Sequence, residues 1–243
     1  MCDTCGCQLH DHHHHDARIV EVNRSLLEAN QQQAEANRRH IEQMGAVAIN
    51  LISSPGSGKT TLLERTIEAL KDTVRIGVIE GDIETERDAD RIRAKGVPAV
   101  QLTTGGACHL DAPMVHGGLH VLEHFGRGQG FDLIFIENVG NLVCPATFDL
   151  GEHQRVILLS VPEGSDKPAK YPATFRSADL VLFTKTDLLP HFDFDLDEAR
   201  REALMLKPDL AILSLSATTG EGFPAWLAYL HSLLSRGFPP CPE

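Results

Sequence analysis

Basic residues and aromatics are the scarce features of this chain. Its 243 residues hold 22 lysines and arginines against 34 aspartates and glutamates, a net charge of −12. That deficit excludes broad binding to nucleic acid or to an anionic membrane, since either needs a basic face. Nucleotides stay open, because a phosphate site needs only a few local N–H groups and one lysine. Aromatics are 5% of the residues, with a single tryptophan, so base-stacking platforms are not expected. No apolar run approaches the ~18 residues of a membrane span. The opening MCDTCGCQLHDHHHH has neither a basic n-region nor an apolar core, so it does not read as a secretory signal. The expectation is a soluble cytoplasmic protein whose length allows one α/β domain or two small ones.

Cysteine is sparse over most of the chain and concentrated at its start. Cys2, Cys5 and Cys7 stand close together, while Cys108, Cys144 and Cys241 are scattered. His10, His12, His13, His14 and His15 follow the first group, within a total of 13 histidines. Without a secretion signal, metal or redox chemistry is the stronger reading and disulfides the weaker. An expression tag is the alternative origin of the histidine run.

Residues 1–16 read as a flexible Cys/His-rich metal-binding tail. Residues 17–45 read as a polar N-terminal helix stopped by Gly45, with a thin apolar stripe of Val22, Leu26, Leu27, Ile41 and Met44. Such a helix can pack only at the edge of a domain or against a partner. From Ala46 the pattern changes to short runs rich in Val, Ile and Leu, each followed by a helix-length segment. The runs are 46–53, 75–80, 97–102, 132–137, 155–161, 179–183 and 209–216. Lacking strict alternation, they read as strands buried on both faces of a parallel sheet. Repeated β–α alternation over residues 46–236 gives a doubly wound, mostly parallel α/β sheet. Residues 237–243 form a Pro-rich end.

The first run leads into Ser53-Ser54-Pro55-Gly56-Ser57-Gly58-Lys59-Thr60-Thr61. This is the G-x-x-x-x-G-K-S/T phosphate loop with Ser53 at the first glycine, which makes the fold a P-loop NTPase. Gly56 and Gly58 let N–H groups turn inward around phosphates. Lys59 supplies a cation to the β- and γ-phosphates, and the Thr60 hydroxyl faces Mg²⁺. The nucleotide-binding set is therefore Pro55, Gly56, Ser57, Gly58, Lys59, Thr60 and Thr61. Glu137-Asn138-Val139-Gly140 repeats a D-x-x-G spacing with Glu for Asp, putting Glu137 near the Mg²⁺ shell and Gly140 near the γ-phosphate. Thr184-Lys185-Thr186-Asp187 resembles N-K-x-D. There the Asp187 carboxylate can accept the N1–H and 2-amino donors of guanine while the Lys185 stem covers the ring. Ser216 and Ala217 follow the last run, where a backbone N–H meets the guanine oxygen. Asp82 can reach the Mg²⁺ shell or orient the attacking water, making Lys59 and Asp82 the catalytic candidates; a helix-capping carboxylate is the plainer role for Asp82.

Two further groups suit metals. Cys2, Cys5 and Cys7, with the terminal amine, can enclose Zn²⁺ tetrahedrally or Ni²⁺ in a square plane. Cys108 and His109 follow the third run and Cys144 lies four residues beyond Gly140, so nucleotide state could move a metal ligand. Two thiols and one imidazole leave a tetrahedral site one ligand short. His116, His120 and His124 share a helical face, as auxiliary ligands or as a solvated surface.

These residues together resemble the HypB family, SIMIBI-class GTPases that help insert nickel during nickel-iron hydrogenase maturation. The resemblance runs from about residue 23 to 236. It is carried by SSPGSGKTTLLE (53–64), EGDIETERDADRI (80–92), GGACHLDAPMV (105–115), ENVGNLVCPA (137–146), PEGSDKPAKYP (162–172) and TKTDLL (184–189), with CDTCGC (2–7) matching a nickel motif of some members. The resemblance implies a cytoplasmic GTPase that dimerises with GTP and shares a Ni²⁺/Zn²⁺ site of Cys108, His109 and Cys144 across the interface. It makes Cys2, Cys5 and Cys7 the tight nickel site. The implied partners are a HypA-type zinc-containing metallochaperone and, through it, the hydrogenase large subunit. Lys167 and Lys170 lie in a family-like segment without an assigned contact. A nickel or zinc storage protein with a regulatory GTPase domain is the rival reading. A chaperone for urease or a cobalamin enzyme is a nearer one, disfavoured by the cysteine motifs.

Overall fold

The computed structural model describes residues 12–82, 86–126 and 128–236, with residues 12–23 as backbone only. Its centre is a seven-stranded parallel sheet in the order β3-β2-β4-β1-β5-β6-β7. The strands are β1 Val47–Ser53, β2 Ile76–Asp82, β3 Ala99–Thr103, β4 Leu133–Glu137, β5 Gln154–Ser160, β6 Leu180–Thr184 and β7 Ala211–Ser214. Each expected apolar run thus forms one strand. Every residue of β1, β4 and β6 is buried, as a sheet covered on both faces requires. The parallel pairing brings all seven C-terminal strand ends to one edge, where open α/β sheets place their ligands.

Helices α1 His12–Gln43 and α4 Ala112–Phe125 pack on one face of the sheet around Ile79, Ile134 and Ile136. Helices α2 Lys59–Leu70, α3 Arg87–Arg93 and α8 Phe223–Arg236 cover the other. There Trp226 is fully buried and its indole N–H donates to Thr66 Oγ1 at 2.9 Å, tying α8 to α2. The short helices α5 Lys167–Lys170 and α6 Pro172–Ser177 precede β6, and α7 Leu196–Leu206 precedes β7. Phe175 and Ala203 bury this group against Ile157 and Val181.

The polar N-terminal helix begins at His12, earlier than its composition suggests, and packs differently from the expected stripe. Ile41 and Met44 are buried, but Leu26 and Leu27 are exposed. Buried amides do the work of the missing apolar residues. Asn37 Nδ2 donates to the carbonyls of Ala112 (2.8 Å) and Leu150 (3.0 Å). Asn30 accepts from Ala112 N–H at 2.9 Å and donates to the Asp149 carbonyl at 2.8 Å. Gly151 makes the close approach possible: at φ +92° a Cβ there would lie 2.5 Å from the Ala34 carbonyl oxygen. Because both acceptors of Asn37 are buried, Asn37→Ala strands two carbonyls and should cost about 3 kcal/mol in urea unfolding. A loss under about 0.5 kcal/mol would mean that water replaces the amide.

Candidate functional site

The loop after β1 closes on itself through side chains. Gly56 (φ +75°) and Gly58 (φ +96°) turn the backbone, and α2 begins directly after Gly58, so its free N–H groups face the cleft. Ser53, standing where the pattern has glycine, is fully buried. Its hydroxyl accepts from Lys59 Nζ at 2.9 Å and from the Ser57 hydroxyl. The substitution therefore holds the lysine in place. The cleft of about 470 Å³ beside this loop is lined by Pro55 through Thr61 together with Glu80, Asp82, Glu137, Gly140 and Lys185. Gly140 rests against the loop: a Cβ there would come within 3.0 Å of Pro55.

Two carboxylates meet at the base of the cleft. Glu80 on β2 and Glu137 on β4 are register partners on adjacent strands, so they point to the same face, and both are buried. Thr60 Oγ1 donates to Glu137 Oε1 at 2.9 Å. Glu80 Oε1 and Glu137 Oε2 are buried with no hydrogen-bond partner. Burial, then the charge of Glu137, pushes the Glu80 carboxyl well above the usual range; burial also raises Glu137, opposed by Lys59 and Thr60. A threonine hydroxyl and clustered hard oxygens with unused lone pairs fit a divalent cation such as Mg²⁺. Asp82 lies at the half-buried end of β2 and lines the same cleft. Glu80 is the member that sequence reasoning missed. It sits two residues before the aspartate that drew attention, and only the pairing of β2 with β4 brings it to Glu137.

Beyond the loop, Lys185 adopts the left-handed conformation (φ 59°) and its ammonium donates to the Gly56 carbonyl at 2.7 Å. Thr184, where the pattern has asparagine, donates its hydroxyl to the Ser57 carbonyl at 2.8 Å. It thus anchors the two loops together. A smaller hollow of about 70 Å³ follows, lined by Gly58, Thr61, Lys185 and Ala217 among others. Asp187 Oδ1 is buried without a partner. Ser216 is enclosed, its N–H donating to the Glu221 carbonyl at 2.9 Å, so Ala217 is the member of that pair that lines the hollow.

Cys108, His109 and Cys144 converge at the same sheet edge, their ligand atoms all within 4.8 Å of one another. The sulfurs of Cys108 and Cys144 are 3.0 Å apart and Cys108 Sγ is 3.8 Å from His109 Nδ1. Two thiolates on one tetrahedral ion stand roughly 3.7 Å apart, so a small opening admits a metal. His109 stacks on Phe148 at 4.1 Å, and burial lowers its pKa, favouring the neutral ring that ligates. The neighbouring Cys108 thiol, then burial, raises the Cys144 thiol, so metal uptake here releases protons. Cys2, Cys5 and Cys7 lie outside the described residues.

Asn138 and Asn141 join this cluster to the cleft. Buried Asn138 Oδ1 accepts from Leu110 N–H at 3.1 Å and from Val139 N–H at 3.0 Å. Asn141 Nδ2 donates to the Cys108 carbonyl at 3.3 Å, and its Oδ1 accepts from Val143 N–H at 2.8 Å. Asparagines in a loop give no sequence signal for such long-range bonds. Of the histidines considered as auxiliary ligands, His116 and His120 touch each other, whereas His124 lies against Phe125.

The raised Glu80 carboxyl has a measurable consequence. It keeps its proton in the folded chain where the unfolded chain has already lost one, so stability falls as pH rises above the ordinary carboxylate range. With chelator and no nucleotide, urea unfolding from about pH 5 to about pH 7 should show wild type losing stability relative to Glu80→Gln. Parallel curves would contradict this assignment.

Residues 47–214 match the model of the CobW/HypB/UreG nucleotide-binding domain. The hydrogenase maturation factor HypB of Azotobacter chroococcum is 52% identical over 215 residues, covering 88% of this chain and 69% of that protein. The Escherichia coli K12 protein of the same name is 49% identical, covering 88% of this chain and 73% of its own length. The crystal structure of HypB from Helicobacter pylori in complex with nickel superposes with a TM-score of 0.82 at 39% identity, covering 88% of this chain and 100% of that one. HypB from Archaeoglobus fulgidus gives 0.79 at 41% identity, covering 86% and 100%. With its nucleotide-binding domain and its cysteine–histidine cluster on one sheet edge, the chain belongs to the HypB family of hydrogenase maturation factors.

Proposed function

We propose that the chain hydrolyses GTP slowly in the cytoplasm and uses that cycle to deliver nickel during nickel-iron hydrogenase maturation. The observation that carries this reading is the segment leaving β4. It holds Gly140 against the phosphate loop and, through Asn138 and Asn141, holds the backbone around Cys108. One stretch of chain thus faces both the nucleotide and the metal ligands.

In this reading the N–H groups from Gly56 to Thr61 and the start of α2 hold the phosphates, and Lys59 places its charge on the β- and γ-oxygens. Thr60, Glu137 and Asp82 would hold magnesium, which would supply charge neutralisation at the phosphates. Asp82 orients the attacking water. Asp187 accepts the two guanine donors, Lys185 covers the ring, and Ala217 N–H meets the guanine oxygen. Gly140 N–H meets the γ-phosphate, so its loss on hydrolysis frees the segment and shifts Cys144 relative to Cys108.

GTP binding pairs two copies through this edge and joins their Cys108, His109 and Cys144 around Ni²⁺ or Zn²⁺, which supplies the ligands one copy lacks. Val143, 57% exposed beside Cys144, provides apolar surface for that pairing. Cys2, Cys5 and Cys7 form the tight nickel site. Cargo is exchanged with a HypA-type metallochaperone and through it reaches the hydrogenase large subunit. The net charge of −12 disfavours nucleic acid or an anionic membrane surface as partner.

The Cys/His-rich start also favours nickel or zinc storage, with the GTPase domain regulatory. Lys59→Ala separates the two: a delivery device stops activating hydrogenase while total bound nickel barely changes, whereas a store continues to work. The base is tested by Asp187→Asn. GTP affinity should fall at least ~100-fold and be regained for xanthosine triphosphate, whose C2 oxygen accepts from the new amide. Unchanged GTP affinity in competition binding would refute guanine recognition here.

A further inference from the structure

A second cluster of ligating side chains lies away from the cysteine pair, on the outer surface where α1 crosses α4. His116 and His120 stand one turn apart on α4, with their Nε2 atoms 3.2 Å from each other. His40 of α1 completes the group: its ring centroid is 4.8 Å from that of His120 and 6.3 Å from that of His116. One ligand nitrogen from each of the three falls within 4.8 Å of the others. Glu123, one further turn along α4, places Oε2 3.1 Å from His40 Nε2. His116 Nδ1 is buried without a hydrogen-bond partner.

Three imidazoles packed this closely are poorly satisfied as a bare surface. At most one proton can lie between the 3.2 Å pair, and a second positive ring beside it is repelled. Burial, then the neighbouring His120 and His40 rings, lowers the His116 pKa and so keeps its lone pair available. The separation also matches a metal. Two nitrogens about 2.0–2.1 Å from one ion stand roughly 2.8–3.4 Å apart between cis and tetrahedral angles. The exposed His120 gives the ion a path from solvent, and Glu123 supplies a charge-balancing oxygen.

We propose that His40, His116 and His120, with Glu123 as fourth ligand or as the partner orienting His40, form a binding site for a borderline divalent ion, Zn²⁺ or Ni²⁺. Imidazoles with one carboxylate suit these ions and bind them less tightly than a thiolate set does. The site clamps α1 to α4. It lies roughly 6–12 Å along α4 from Ala112, the first residue of that helix and three positions past His109. It depends neither on GTP binding nor on the cysteine cluster.

The test uses the full chain with its other cysteines and its histidine run removed: Cys2→Ser, Cys5→Ser, Cys7→Ser, Cys108→Ser, Cys144→Ser and Cys241→Ser, plus His10→Gln, His12→Gln, His13→Gln, His14→Gln and His15→Gln. Zn²⁺ and Ni²⁺ are titrated separately by calorimetry, with the thermal midpoint read with and without each ion. One equivalent of either ion should bind and raise the midpoint. His116→Ala or His120→Ala should weaken binding at least ~10-fold and abolish the rise, while His124→Ala keeps both. Should this background not fold, the same comparison is made in the otherwise native chain by counting bound metal, where His116→Ala with His120→Ala should release one equivalent. Binding by neither ion, or binding untouched by His116→Ala and His120→Ala, would overturn the proposal.

Discussion

Two buried carboxylates held side by side are the constraint around which this fold is arranged. Glu80 and Glu137 occupy paired positions on β2 and β4, and both are buried. Burying a pair of like charges is costly unless a proton or a cation settles between them. Lys59 and Thr60 supply part of the compensation, which requires the phosphate loop to pack directly over the carboxylates. The cleft is therefore strained toward a positive charge before any ligand arrives. In the proposed cycle a nucleotide with its cation would complete this site.

A chain of buried amides extends from this point. Asn138, next to Glu137, reaches Asn50 at 3.4 Å, and Asn50 donates to Glu152 at 3.2 Å. Glu152 is also gripped by Arg155 at 2.6 Å and by the Leu150 N–H at 2.8 Å. Leu150 and Asp149 in turn hold Asn37 and Asn30 of α1. Buried polar groups of this kind tolerate little slack, because each broken bond strands a partner. From the β4 end these bonds run on one side to the backbone of Cys108 and Leu110 and on the other to α1.

The strands were legible because each apolar run is short and rich in Val, Ile and Leu, and the runs that form β1, β4 and β6 are buried throughout. The phosphate loop was legible because its residues are contiguous. Ser53 and Thr184 read as departures from pattern, yet both perform the pattern's work by other bonds: one holds Lys59, the other ties β6 to the loop. Glu80, Asn138 and His40 were not legible. Their roles come from pairings with residues far along the chain, His40 with His116 and Glu80 with Glu137, and no local spacing encodes those. The packing of α1 was hidden for a related reason, since its buried contacts are asparagine amides rather than an apolar stripe.

In the proposed cycle, nucleotide state alters the cysteine–histidine site through the Glu137–Cys144 segment. This coupling is tested most directly by nickel titration of the chain carrying Cys2→Ser, Cys5→Ser and Cys7→Ser, with GDP and with a non-hydrolysable GTP analogue. Thiolate-to-nickel absorption and molecular mass are read together. Nickel affinity at Cys108 and Cys144 should differ between the two nucleotides, with the mass doubling in the GTP-like state. Identical affinity and an unchanged mass in both states would contradict the coupling.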